Sequence, residues 1–185
     1  MRRSIFKFAA PIGLALSLQL SSGAAQAMDP ENTIYLDLEY GRVVIELRPD
    51  LAPNHVERIK MLTRQGFYDG VVFHRVIPGF MAQTGDPTGT GRGSSNEPDL
   101  EAEFSLENHL RGTVSMARAQ DPDSANSQFF IVFEPSEWLD GQYTIWGQVI
   151  DGMEYVDQIK KGAGQSGMVD DPDVIVKMQV AADAE

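Results

Sequence analysis

Short apolar blocks, cut apart by glycine and proline, most constrain this chain. Thr33–Glu39 alternates, with Ile34, Leu36 and Leu38 set against Thr33, Tyr35, Asp37 and Glu39. A Tyr40-Gly41 turn leads into a second strand, Arg42–Leu47, and the two form a hairpin. Further strands are expected over Val71–Ile77, Gly112–Arg118, Gln128–Phe133, Tyr143–Ile150 and Val174–Val180, the last with Val174, Val176, Met178 and Val180 on one face. Helical spacing is confined to two places. One runs from Pro53 to Gln65, with Pro53 suited to a first turn and Gly66 to a C-terminal stop; the other is Gly152–Lys161. Gly85–Pro98 reads as a loop, its Gly89–Gly93 part as a mobile surface stretch, and Gly162–Gly167 as a flexible link. Many short strands with two separated helices predict an antiparallel β-barrel with helices packed outside it.

The first residues read as a leader. Arg2, Arg3 and Lys7 precede an apolar stretch from Phe8 to Leu20, and Ala25-Gln26-Ala27 places small residues at a cleavage site. The stretch is shorter than the roughly 20 apolar residues of a membrane span. Residues 1–27 are therefore expected to be a secretory signal peptide and residues 28–185 one domain, periplasmic or secreted, with no membrane span once the leader is cut. The released chain loses three of 15 basic residues and keeps all 27 acidic ones, a formal balance of −15. Such a surface repels phosphate backbones, so nucleic acid is not an expected partner. The absence of cysteine removes disulfides, thiolate metal sites and cysteine nucleophiles together.

Motifs for other chemistries fail one by one. His55, His74 and His109 have no metal-binding spacing. Asp121–Asn126 opens like a calcium loop, but its sixth position is Asn126 and its twelfth is Val132. Gly89-Thr90-Gly91-Arg92-Gly93 lacks the following Lys-Ser/Thr and helix of a phosphate cradle. There is no nucleophile elbow, and a Ser-His-Asp triad drawn from His74 and Asp86 rests on composition alone.

Three clusters remain: FHRVIPGFMAQTGD from Phe73, SMARA from Ser115 with NSQFFI from Asn126, and EWLDGQYTIWGQV from Glu137. In this order they resemble the cyclophilins, over roughly Thr33 to Val180. The resemblance implies a closed antiparallel β-barrel capped by two α-helices, and prolyl isomerase activity on proline-containing peptides with no cofactor and no metal. Position by position, it makes Arg75 the catalytic arginine and Gln83 the glutamine beside it. Phe80, Met81, Phe130 and Leu139 become the pocket for the proline ring. Ala117 and Arg118 fall in the segment that pairs with the substrate backbone, and Gln128 and Trp138 line the same groove. Arg118 stands where many members have Asn, and Tyr143 where eukaryotic members usually have His; both departures are expected to alter preference around the proline. Trp138 is expected to favour cyclosporin binding. Unfolded exported proteins are the expected clients of a monomer. The alternatives are a chaperone-like peptide binder whose turnover is incidental, and an exported serine hydrolase.

Overall fold

Strand side chains that point alternately to two faces place the main core on one side of the sheet. A computed structural model describes residues 28–184; the leader reading of 1–27 lies outside the described residues. The hairpin forms as expected: β1 (Thr33–Leu38) pairs antiparallel with β2 (Gly41–Leu47), Ile34 opposite Ile45 and Leu36 opposite Val43, all fully buried. On its outer face Arg42 clasps Asp37 at 2.7 Å and lies over the Tyr35 ring. The other strands are β3 (Arg75–Ile77), β4 (Met81–Thr84), β5 (Thr113–Met116), β6 (Phe129–Val132), β7 (Ile145–Asp151) and β8 (Lys177–Val180). They make one eight-stranded antiparallel sheet in the order β3-β4-β6-β5-β7-β2-β1-β8. The expected mainly β architecture with two α-helices is thus what the chain forms.

Closure needs refinement. Among the described residues β3 and β8 do not pair, so the sheet is a curled half-barrel rather than a continuous closed ladder. The seam is spanned just before both strands: Val72 bridges Val174, Gly70 N–H donates to Ile175 O at 2.7 Å, and Phe73 N–H to Asp173 O at 2.9 Å. These irregular contacts correct two strand readings. Of Val71–Ile77 only Arg75–Ile77 is regular strand. The Val174–Val180 alternation breaks at a bend at Val176: Val174 and Val176 are exposed while Ile175 is fully buried, and only Met178 and Val180 keep the buried face. Gly162–Gly167 is not a free link either. Gly162 N–H donates to Val76 O, and Val76 N–H to Gly167 O at 2.7 Å, so the segment covers the open edge of β3.

The first helix, α1 (Pro53–Arg64), buries Val56, Ile59 and Leu62 against β7 and β8. Its end is a Schellman motif: Gly66, at φ +69°, donates to Thr63 O, and Phe67 donates to Leu62 O. The second, α2 (Met153–Val156), is only one turn of the expected Gly152–Lys161 helix. The N-terminus of α1 lacks a capping side chain of its own at Ala52. Glu103, distant in sequence, supplies one. Its carboxylate accepts from Asn54 N–H at 3.2 Å, His55 N–H at 3.1 Å and the His55 ring at 2.6 Å. Burial pushes that carboxyl up, but these donors outweigh it and hold it below its ordinary range. Replacing the cap removes acceptors from orphan N–H groups. Glu103→Ala should therefore lower unfolding free energy by about 0.5–2 kcal/mol, read from urea melts; an unchanged midpoint would show that α1 does not need this cap.

Candidate active site

The site is built on the sheet face that turns away from the main core. Along β6, Phe129 and Ile131 enter the core, where Phe129 meets Trp146 edge-on at 5.3 Å; Phe130 and Val132 point the other way. The neighbouring strands obey the same period. Val76 and Ala82 belong to the core, whereas Ile77 and Met81 join Phe130, Val132 and Leu139 in a separate apolar cluster. Register then lines up one cross-strand row: Arg75 lies opposite Gln83, Gln83 opposite Phe130, and Phe130 opposite Ser115. The β4 strand was not expected from the sequence; its four residues carry two of the site's side chains.

A cleft of about 600 Å³ opens over this row. Arg75, Gln83, Phe80, Met81, Ala117 and Arg118 line it, together with Phe130, Trp138, Leu139 and Tyr143. Met81, Phe130 and Leu139 form its buried floor. Trp138 is 61% exposed and stands against Phe80 at 5.5 Å, and Tyr143 meets Phe130 edge-on at 5.8 Å. Gln128 does not line this cleft; it lies in an adjoining depression and reaches the site through Gln83. Sequence reasoning did not assign His74, Thr90, Gly91, Arg92, Gln142 or Met168, which complete the wall. They come from loops whose mutual approach leaves no local pattern.

Neutral groups hold the key cation. Arg75 Nε donates to Ser166 O at 3.0 Å and Nη1 to Gln83 Oε1 at 3.1 Å; Nη2 has no partner among the described residues. Gln83 Nε2 donates in turn to Gln128 Oε1 at 2.9 Å, and Gln128 Nε2 to Gly93 O at 2.8 Å. The relay rests on a fastened loop, not on the mobile one that its glycines suggested. Asp86 accepts from Thr88 N–H at 2.7 Å and Gly93 N–H at 3.0 Å. Burial opposes the Asp86 charge, yet these donors bring its pKa down to about 2. Gly85, at φ +88°, leaves no room for a side chain: a Cβ there would sit 2.3 Å from Ser127 O. That contact sets the end of β4 against the start of β6, and so Gln83 against Gln128.

Arg118 is equally well placed. Nε and Nη2 donate to Gln142 O, Nη1 to Ala119 O and Gln120 O, and the guanidinium lies 4.7 Å from the Tyr143 ring centre. The Ala117 N–H is used within the protein, donating to Gln128 O at 2.9 Å.

A second polar group underlies the floor. The buried His109 ring stacks on Phe130, with Nδ1 2.9 Å from Asp140 Oδ1 and Nε2 3.1 Å from Ser115 Oγ. Asp140 also accepts from His109 N–H and Asn108 Nδ2, which pins the short 3-10 helix Glu137–Leu139 that carries Trp138 and Leu139. Burial depresses the His109 pKa, against the pull of Asp140. Ser115, His109 and Asp140 have the composition of a hydrolytic triad, but Ser115 is fully buried and donates to Thr144 O at 2.8 Å. A substrate carbonyl has no access to it. His74 and Asp86, the pair considered from sequence, share no hydrogen bond; both His74 ring nitrogens lack a partner among the described residues.

Comparisons with known proteins agree on one family. The family model for "Cyclophilin type peptidyl-prolyl cis-trans isomerase/CLD" matches residues 33–180. A Brucella suis protein named a probable peptidyl-prolyl cis-trans isomerase is 53% identical over an alignment that covers 94% of this chain and 96% of the relative. A Mus musculus peptidyl-prolyl cis-trans isomerase-like protein is 43% identical over 70% of this chain and 82% of its own. Among solved structures, a Hirschia baltica cyclophilin superposes with a TM-score of 0.76 at 29% identity, covering 85% of this chain and 77% of that one. A Cryptosporidium parvum cyclophilin-type isomerase, solved in the presence of the dipeptide Ala-Pro, gives 0.75 at 30% identity, covering 80% and 98%. The match spans all eight strands and the cleft they carry, and the chain belongs to the cyclophilin-type peptidyl-prolyl cis-trans isomerases.

Proposed function

We propose that this isomerase turns X–Pro bonds with Arg75 as the catalytic residue, and that it does so for exported proteins during their folding. The reaction must break amide resonance, a barrier of about 18–20 kcal/mol. In the twisted transition state the lone pair returns to the prolyl nitrogen, which only then accepts a hydrogen bond. A guanidinium aimed at that nitrogen binds the transition state better than the planar ground state, which is what catalysis requires. The observation that carries this reading is the state of Arg75: Nε and Nη1 each donate to a neutral oxygen, Nη2 is unused among the described residues, and the apolar floor lies in the same cleft.

Each neighbour has a role in this scheme. Gln83 fixes the direction of the guanidinium, and Gln128 steadies Gln83. Phe80, Met81, Phe130 and Leu139 receive the proline ring and keep water from the bond. Ala117, Arg118, Trp138 and Tyr143 form the walls along which the peptide lies. No nucleophile or general base takes part, since no bond is made or broken.

A charge-assisted hydrogen bond of about 1.5–3 kcal/mol corresponds to roughly tenfold to a hundredfold in rate. Arg75→Ala should lose at least that much kcat/KM on a prolyl peptide and keep the wild-type thermal midpoint. Wild-type rates in a proline-limited refolding assay would rule out the role. A passive peptide binder would keep its ability to hold unfolded clients in solution after this substitution, which separates the two readings.

Export rests on the leader pattern alone. Expression in a bacterial host with two membranes should yield a periplasmic protein whose first residue, by mass spectrometry, is Met28; an uncut chain in the cytoplasm would contradict it. The exposed Trp138 beside Phe80 supports cyclosporin as a ligand, because an apolar cyclic peptide gains most by covering a large apolar surface. Calorimetry at micromolar protein should detect this binding, and the absence of heat would exclude it.

A further inference from the structure

The cleft departs from the charge of the rest of the molecule. The chain has 27 acidic residues against 15 basic ones, yet no Asp or Glu lines the cleft, whereas Arg75, Arg92 and Arg118 do. Four of the five other arginines among the described residues are neutralised, and the fifth, Arg58, lies outside the cleft with no carboxylate in salt-bridge contact. Arg42, Arg48, Arg64 and Arg111 each pair with a carboxylate within 3.1 Å. In the cleft, no arginine has a carboxylate partner among the described residues. Arg75 and Arg118 are held by amide and carbonyl oxygens, which fix a cation without cancelling its charge. Arg92 is exposed, and its guanidinium has no hydrogen-bond partner among the described residues; only its backbone is held, by Thr90. Arg92 and Arg118 also line the adjoining depression, where the single lining carboxylate, Asp99, already accepts from Asn126 Nδ2 at 2.8 Å.

Distance decides which charge a bound peptide feels. At physiological salt the Debye length is about 8 Å, so surface acids farther than this from the cleft are screened; Asp86, beside the Arg92 loop, already accepts from Thr88 N–H and Gly93 N–H. We infer that the cleft selects peptides with Asp or Glu beside the isomerised X–Pro bond, and that Arg92 is the specificity-determining residue, with Arg118 as a second, fixed charge. The inference rests on the isomerase reading and names the substrate class of that site. The Arg92 guanidinium makes no hydrogen bond to Arg75, Gln83 or Gln128, whose amide the flanking Gly91 and Gly93 carbonyls hold instead, so changing it adjusts selection rather than the relay. Exposed ion pairs of this kind correspond to about a two- to fivefold preference.

The test compares kcat/KM of the purified protein, by NMR exchange, on peptides that differ only in Glu, Gln or Lys before the proline, with a second set varied after it. In one set, Glu should exceed Gln about two- to fivefold and Lys should fall below it, and the spread should shrink at high salt. Arg92→Gln should narrow the Glu-to-Gln ratio and Arg92→Glu should invert it. Equal values across both sets, or a ratio unmoved in Arg92→Glu, would overturn the inference while leaving the isomerase reading intact. No turnover of any peptide would overturn both.

Discussion

The two-residue period of the β-strand is the constraint on which this site depends. Because Phe129 and Ile131 must fill the core, Phe130 and Val132 have to face outward. The same logic puts Arg75, Gln83 and Phe130 in one row, at positions fixed by ladder hydrogen bonds rather than by loops. A one-residue slip of β4 would bury Gln83 and expose Ala82. Gly85, packed on Ser127 where no Cβ fits, guards against that slip. The row of side chains is therefore held by the sheet itself.

Rigidity extends to the cation through neutral partners. In the proposed mechanism, a carboxylate beside Arg75 would hold it more tightly but would also satisfy the charge that a developing lone pair needs to meet. Amide and carbonyl oxygens position the guanidinium and leave its charge available. Gln83 and Gln128 pass this positioning to the loop around Asp86, whose low pKa reflects how many donors converge on it. Beneath the floor, Asp140 does comparable work for the Trp138–Leu139 segment by accepting from His109 N–H, the His109 ring and Asn108 Nδ2.

Much of this was legible in the sequence, for physical reasons that differ by element. The β1–β2 hairpin and α1 are local: alternation, a turn glycine, Pro53 and Gly66 specify them without help. The segments carrying Arg75, Phe130 and Trp138 were legible as motifs, and ten of the eleven expected site residues line one cleft, with Gln128 next to it. What the sequence hid is non-local. Val174 and Val176 look like core positions because the bend at Val176 is set by contacts with β1 and with residues 70–73. The β4 strand was obscured because its four residues read as chemistry. Glu103 and Asp140 fasten backbone far away in the chain and Asp86 the loop that follows it, and no periodicity announces a side chain whose partners are main-chain N–H groups.

That last feature bears on how such a cleft diversifies. Asp86 shapes the 87–93 loop through main-chain donors and the Thr88 hydroxyl, and Gly93 is confined by its closeness to that carboxylate. The side chain at position 92 makes no hydrogen bond within the loop. If position 92 tunes selection as inferred, the electrostatic rim can be rewritten one codon at a time, toward basic, neutral or acidic clients, without removing any hydrogen bond of the loop beneath it.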